Sequence, residues 1–133
     1  MTLVVDASVV VSGLIDDGPD GRWCEGLLAQ GVLIAPHLLP AEVASILRRA
    51  TIAGHLGSEL AALAHQDLAR LSIDLVPYEP FADRVWELRD NVTPYDAWYV
   101  ALAEWFALPV ATLDARLVRA PGPRCAFLTP PAA

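Results

Sequence analysis

The sequence predicts an α/β fold, a three-layer α/β/α sandwich around a central parallel sheet of four to five strands. Three observations carry this expectation. Short, continuous, β-branched apolar runs recur along the chain, as in strands buried on both faces. Helical stretches separate them, which supplies the crossover that each parallel pairing needs. A chain of 133 residues can bury one such core without help from disulfides or a structural metal, so a single domain over residues 1–133 is expected.

The first run, Leu3-Val4-Val5, stops at Asp6. From Ala7 onward Val10, Val11, Leu14 and Ile15 have helical spacing, and the segment Asp16 to Gly21, rich in turn formers, reads as a loop. A second helix carries Trp23, Leu27 and Leu28 to Gly31. Val32 to Ala35 is the next strand, stopped by Pro36, and Pro40 suits the first turn of a helix reaching about Ala53. Ser58 suits the cap of a helix that ends near Leu71. Ile73 to Val76 reads as a third strand, Phe81 to Asn91 as a helix, and Thr93-Pro94 opens another that runs to about Ala107. Val110 to Thr112 is a fourth strand and Ala126 to Leu128 a short fifth, before a Pro/Ala tail at 129–133 expected to fray.

Topology then places the chemistry. In open α/β sheets, strand C-termini and helix N-termini share one rim, where ligands bind. Asp6 and Asp114 follow strand ends, while Glu42 and Asp96 sit in the first turns of helices, so all four are expected on that rim.

Each acid alone has a structural explanation. Glu42 would meet the positive end of a helix dipole. Asp96 stands three residues after Thr93, as in a capping box. Asp114 could begin a turn. Asp6 is different, because it interrupts an apolar strand and precedes an apolar helix, and burying a charge there requires a cation or a strong hydrogen-bond set.

Together, four carboxylates on one rim of a chain without a single lysine would raise one another's pKa values or recruit a divalent cation. Oxygen donors suit Mg²⁺ or Mn²⁺, and such ions support in-line displacement at phosphorus with no histidine or serine nucleophile. The expected chemistry is therefore metal-assisted phosphodiester hydrolysis. A receiver domain or a haloacid-dehalogenase-type phosphatase also has an acid after the first strand, but both rely on a rim lysine that is absent here. No glycine-rich phosphate loop is present, and His37, His55 and His65 fall at no metal-ligand or triad spacing.

The remaining composition bounds partners and compartment. A hydrophobic fraction of 55% and a mean hydropathy of +0.42 predict apolar surface left for a dimer or a permanent partner. No run is long enough to cross a membrane, and Asp6 breaks the N-terminal apolar run too early for a signal peptide, so a cytoplasmic protein is expected. Cys24 and Cys125 match neither a zinc spacing nor a redox pair. The net charge of −7 runs against nucleic-acid binding in general. Arg48, Arg49, Arg116, Arg119 and Arg124 can be read either as local ridges that hold RNA beside the acidic cleft or as solvated helix faces. Tyr95, Trp98, Tyr99, Leu102, Trp105 and Phe106 recur at helical spacing and read as core and dimer interface rather than as a platform for bases.

Four segments, Val4-Val5-Asp6-Ala7-Ser8, Pro40-Ala41-Glu42-Val43, the stretch from Thr93 to Ala103 containing Tyr95-Asp96-Ala97, and Thr112-Leu113-Asp114, resemble in order and spacing the PIN-domain ribonucleases of the VapC toxin type. The resemblance implies a PIN-like fold and a Mg²⁺- or Mn²⁺-dependent endoribonuclease, the toxin of a type II toxin–antitoxin pair. It also implies an RNA substrate, a cognate antitoxin and a homodimer. It matches Asp6, Glu42, Asp96 and Asp114 to the family's acidic quartet, with Asp6, Asp96 and Asp114 as metal ligands and Ser8 and Thr112 as supporting hydroxyls. Leu117 stands where the family often has phenylalanine. The alternatives are a PIN-like assembly module without activity and a housekeeping RNA-processing nuclease.

Overall fold

The structure, a computed structural model, describes residues 1–132. Five strands, β1 (Thr2–Val5), β2 (Val32–Pro36), β3 (Ile73–Val76), β4 (Val110–Ala111) and β5 (Phe127–Leu128), form one sheet in the order β3-β2-β1-β4-β5. Every pairing is parallel. β1 is central, and Leu3, Val4 and Val5 are apolar because both faces of the strand are covered there: each is at most 1% exposed. The chain passes from β1 outward to β2 and β3, then returns to the other side of β1 as β4. The strand order therefore reverses between β1 and β4, the position where open sheets of this kind bind ligands.

Seven helices cover the sheet: α1 (Ala7–Ile15), α2 (Pro19–Gln30), α3 (Leu39–Ile52), α4 (Ser58–Leu68), α5 (Ala82–Glu87), α6 (Pro94–Phe106) and α7 (Ala115–Arg119). The first four pack on one another, whereas α6 packs against α5 and lies over β1, β2 and β4. Small residues on α6, Ala97, Ala101 and Ala103, let that helix sit close to the strands, and all three are buried.

Several local expectations are corrected. The segment 16–21 is only partly loop, because Pro19 occupies the first turn of α2 and Gly21 is already helical. Gly21 is there for close approach: a Cβ on it would lie 1.9 Å from the Asp16 carbonyl oxygen. Ser58 is the first helical residue of α4, and Gly57 before it is the cap, without a side-chain hydrogen bond. The helix expected over Phe81 to Asn91 is shorter, a 3₁₀ turn at Glu79–Phe81 followed by α5. Its end tightens into turns in which the N–H groups of Asn91 and Val92 both donate to the Leu88 carbonyl. α6 ends at Ala107, which adopts a left-handed φ of 55°.

Residues 129–132 of the expected tail form no helix or strand, and Ala133 lies outside the described residues. Cys24 and Cys125 are both free, and burial pushes the Cys125 thiol up to about 11. Among the described residues no helix is long and apolar enough to cross a membrane.

Candidate active site

The site is built at the reversal point. Asp6 follows β1 directly and its N–H donates to the carbonyl of Ala111 on β4, which ties the two strand ends together. Only 8% exposed, its carboxylate is surrounded by donors: Ser8 Oγ at 2.5 Å, Thr112 Oγ1, and the Val9 N–H at 3.2 Å, which makes Asp6 the cap of α1. The two hydroxyls have no freedom about where to send their protons. Ser8 Oγ already accepts from the Leu113 N–H at 3.1 Å, and Thr112 Oγ1 accepts from the Asp114 N–H at 3.0 Å. Each hydroxyl therefore links the backbone of the loop after β4 to Asp6, and this linkage sets where Asp114 stands. Burial nonetheless outweighs these donors and raises the Asp6 pKa above the ordinary carboxylate value.

Asp114 caps α7, a helix that the sequence reading missed by treating this segment as a turn. Its Oδ1 accepts from the N–H groups of Arg116 at 2.9 Å and Leu117 at 3.4 Å. The Leu117 side chain fills the core there and is 4% exposed. Asp96 is in the first turn of α6 with half of the expected capping box: the Thr93 hydroxyl accepts from its N–H at 3.3 Å, but the Thr93 N–H donates no hydrogen bond to the Asp96 carboxylate. That carboxylate is left to other uses. Burial raises its pKa first, the charges of Asp114 and Asp6 raise it further, and the Thr93 side chain and the charge of Arg116 oppose the rise.

Glu42 stands in the first turn of α3, where its Oε1 accepts from the Tyr99 hydroxyl of α6 at 2.7 Å. Burial raises its pKa, the Tyr99 hydrogen bond opposes that rise, and the charges of Asp96 and Asp6 add to it. Tyr99 was counted with the apolar stripe and missed as a site residue. The available signal was that a buried tyrosine seeks a partner for its hydroxyl. The stripe itself is divided: Tyr99 and Leu102 are buried, whereas Tyr95 is 61% and Trp105 75% exposed.

The charges of Asp6 and Asp96 thus act on Glu42 and those of Asp6 and Asp114 on Asp96, and no arginine forms an ion pair with any of the four among the described residues. They do not form a closed cage. Among the described residues, no three His, Cys, Asp or Glu side chains are gathered as a ready metal-binding group, since Asp6, Glu42 and Asp114 are each oriented by their own donors. The arrangement is an open, acidic rim beside a cleft of about 430 Å³ lined by Asn91, Thr93, Asp96, Asp114, Arg116 and Arg119, among others. A donor set made only of oxygens, mutually repelling and without a paired arginine, fits a hard divalent cation such as Mg²⁺ or Mn²⁺. His37, His55 and His65 are exposed and take no part.

Comparison with known proteins identifies the family. The PIN domain family model matches residues 3–123. The chain is 43% identical over 123 residues to Ribonuclease VapC1 of Mycobacterium tuberculosis, covering 92% of each chain. It is 39% identical over 115 residues to Ribonuclease VapC9 of the same species, covering 86% of this chain and 87% of the other. Among solved structures it is similar to Mycobacterium tuberculosis VapC20, described as a sarcin-ricin loop cleaving toxin. The TM-score is 0.66 at 14% identity, over 86% of this chain and 92% of the other, a likeness of fold.

Proposed function

Because this chain belongs to the PIN-domain family, and within it to the VapC proteins, we propose that it is a Mg²⁺- or Mn²⁺-dependent endoribonuclease, the toxin of a type II toxin–antitoxin pair. One observation carries the reading. Asp6, Glu42, Asp96 and Asp114 stand at strand ends and helix starts around the point of strand reversal, without an arginine paired to any of them.

Asp6, Asp96 and Asp114 would hold the cation. The ion supplies the positive charge that lets a phosphodiester approach this rim and be attacked by water. Asp6 is fixed for its part by the Ser8 and Thr112 hydroxyls, and the same hydroxyls set the backbone from which Asp114 projects. Asp96 projects from the first turn of α6, and its carboxylate accepts no backbone N–H. Glu42 orients the attacking water: Tyr99 holds Oε1, and Oε2 remains available to accept the water's proton as the P–O bond on the leaving side breaks in line.

The partners follow from the same reading. A cognate antitoxin and a second copy of the chain are the proposed covers for apolar surface that includes Ile52, Leu60, Leu63, Trp86 and Trp105, each more than half exposed. The test is incubation of the purified chain with a structured RNA and Mn²⁺. Cleavage that chelator suppresses and that Asp96→Asn lacks is the expected result; no chelator-sensitive cleavage would refute the activity. A small antitoxin reading frame beside the gene, whose product relieves growth arrest on co-expression, is the expected mark of the toxin role.

A further inference from the structure

The arginines of this chain are partitioned. Arg22 donates to the Asp17 carbonyl, Arg70 pairs with Asp67, Arg84 with Glu87 and Glu104, and Arg89 lies over the Trp86 ring. The charge of Arg124 falls on Glu104. The guanidinium groups of the other four, Arg48, Arg49, Arg116 and Arg119, have no hydrogen bond or ion pair among the described residues. All four lie on α3 and α7, two of the helices that start at the acidic rim.

Their neighbours explain why they stay unpaired. Arg49 shares a cleft of about 340 Å³ with Glu42, but Glu42 is held by Tyr99. Arg116 and Arg119 line the cleft that contains Asp96 and Asp114, yet Asp114 is committed to capping α7. The charge of Arg116 falls on Asp96 without an ion pair, and all four guanidiniums keep planar donor forks suited to phosphate oxygens. The two clefts meet at the first turn of α6, where Tyr95 lines one and Asp96 the other. Tyr95 is 61% exposed, so its ring is open to stacking beside Arg49.

We propose that Tyr95 and Arg49 on one side of this turn, and Arg116 and Arg119 on the other, form a two-sided grip for single-stranded RNA. A base stacks on Tyr95 with its phosphate on Arg49, and the strand continues across the rim to Arg116 and Arg119. A single strand is required, because only an unpaired base exposes its face to a tyrosine. Positive side chains confined to the two flanks reconcile RNA binding with a net charge of −7. The inference rests on the ribonuclease reading and adds the residues that take the strand.

The test measures binding of a fluorescein-labelled oligouridylate by anisotropy in Mg²⁺ at several salt concentrations. The Asp96→Asn chain serves as background so that the RNA survives. Removing one phosphate contact lowers the slope of log K against log salt by about 0.7. Arg49→Ala is therefore expected to lower it by about 0.7, and the Arg116→Ala/Arg119→Ala pair by about twice that. Tyr95→Ala is expected to weaken binding about fivefold to a hundredfold with the slope unchanged, and Tyr95→Phe to restore it. Unchanged affinity and slope in these variants, with thermal melts showing them folded, would overturn the grip. So would a change of oligomeric mass in place of RNA affinity, which would make this face a protein interface. Failure of the unsubstituted chain to cut any RNA in a parallel assay would instead strike the ribonuclease reading and take the grip with it.

Discussion

The hydroxyl of Tyr99, a residue of α6 that is 1% exposed, donates to Glu42 Oε1 on α3 at 2.7 Å. The bond joins two helices 57 residues apart in the chain and fixes one oxygen of a rim carboxylate. It also opposes the rise that burial and the charges of Asp96 and Asp6 impose on Glu42. Tyr99→Phe removes this opposition without leaving a cavity. Glu42 then protonates more readily, so the acid limb of the pH–cleavage profile is expected to move to higher pH, with activity near neutrality reduced about tenfold, as for a lost hydrogen bond to a charged group. A pH–rate profile of both proteins checks this.

Asp96→Asn tests the rim in two opposite directions. The carboxylate caps no helix, and its charge is raised in energy by burial and by Asp114 and Asp6. Without metal at neutral pH, the variant is expected to melt a few degrees above the unsubstituted chain, because one repelling charge is gone. With metal and RNA it is expected to lose cleavage by at least about a thousandfold, as for an essential group of a metal site. Calorimetry and a cleavage assay on one preparation read both.

The stability of the metal-free protein follows from the signs of its shifts. Asp6, Glu42 and Asp96 have folded pKa values raised above 3.8, 4.5 and 3.8. A carboxyl raised on folding binds its proton more tightly folded than unfolded, so its contribution falls as pH rises from the ordinary value through the raised one. Glu104 has the opposite sign. Burial alone would raise it, but Arg84 and the Arg124 N–H hold it below the ordinary value, so its contribution is lost as pH falls through the folded pKa. In chelator, the melting temperature is expected to decline as the pH climbs out of the carboxylate range. Millimolar Mg²⁺ is expected to remove that decline, since the cation supplies the missing counter-charge.

Gly21→Ala is expected to destabilise the chain by about 1–3 kcal/mol, the range for overpacking. The new Cβ would meet the Asp16 carbonyl oxygen at 1.9 Å, so the junction of α1 and α2 has to shift. Denaturant unfolding of the variant measures the cost.

Much of this was legible in the sequence because it rests on local pattern. Fully apolar strands such as Leu3-Val4-Val5 signal a buried parallel sheet, and that topology alone sends Asp6, Glu42, Asp96 and Asp114 to one rim. What escaped the sequence depends on partners remote in the chain. Tyr99 reaches Glu42 across 57 residues, a separation that leaves no periodic trace, and Thr112, which reaches Asp6 across 106, was named a supporting hydroxyl only through the family resemblance. α7 has only five residues, too few for helical periodicity to declare itself, and depends on the Asp114 cap. Tyr95 shares its spacing with buried Tyr99, so pattern placed both in the core, while the position of Tyr95 at the start of α6 leaves it exposed.

The most direct measurement is anomalous scattering from a crystal of the chain soaked in Mn²⁺. The account predicts Mn²⁺ between Asp6, Asp96 and Asp114, with the Tyr99–Glu42 hydrogen bond retained. Mn²⁺ bound only elsewhere, or these carboxylates each closed off by an arginine, would contradict it.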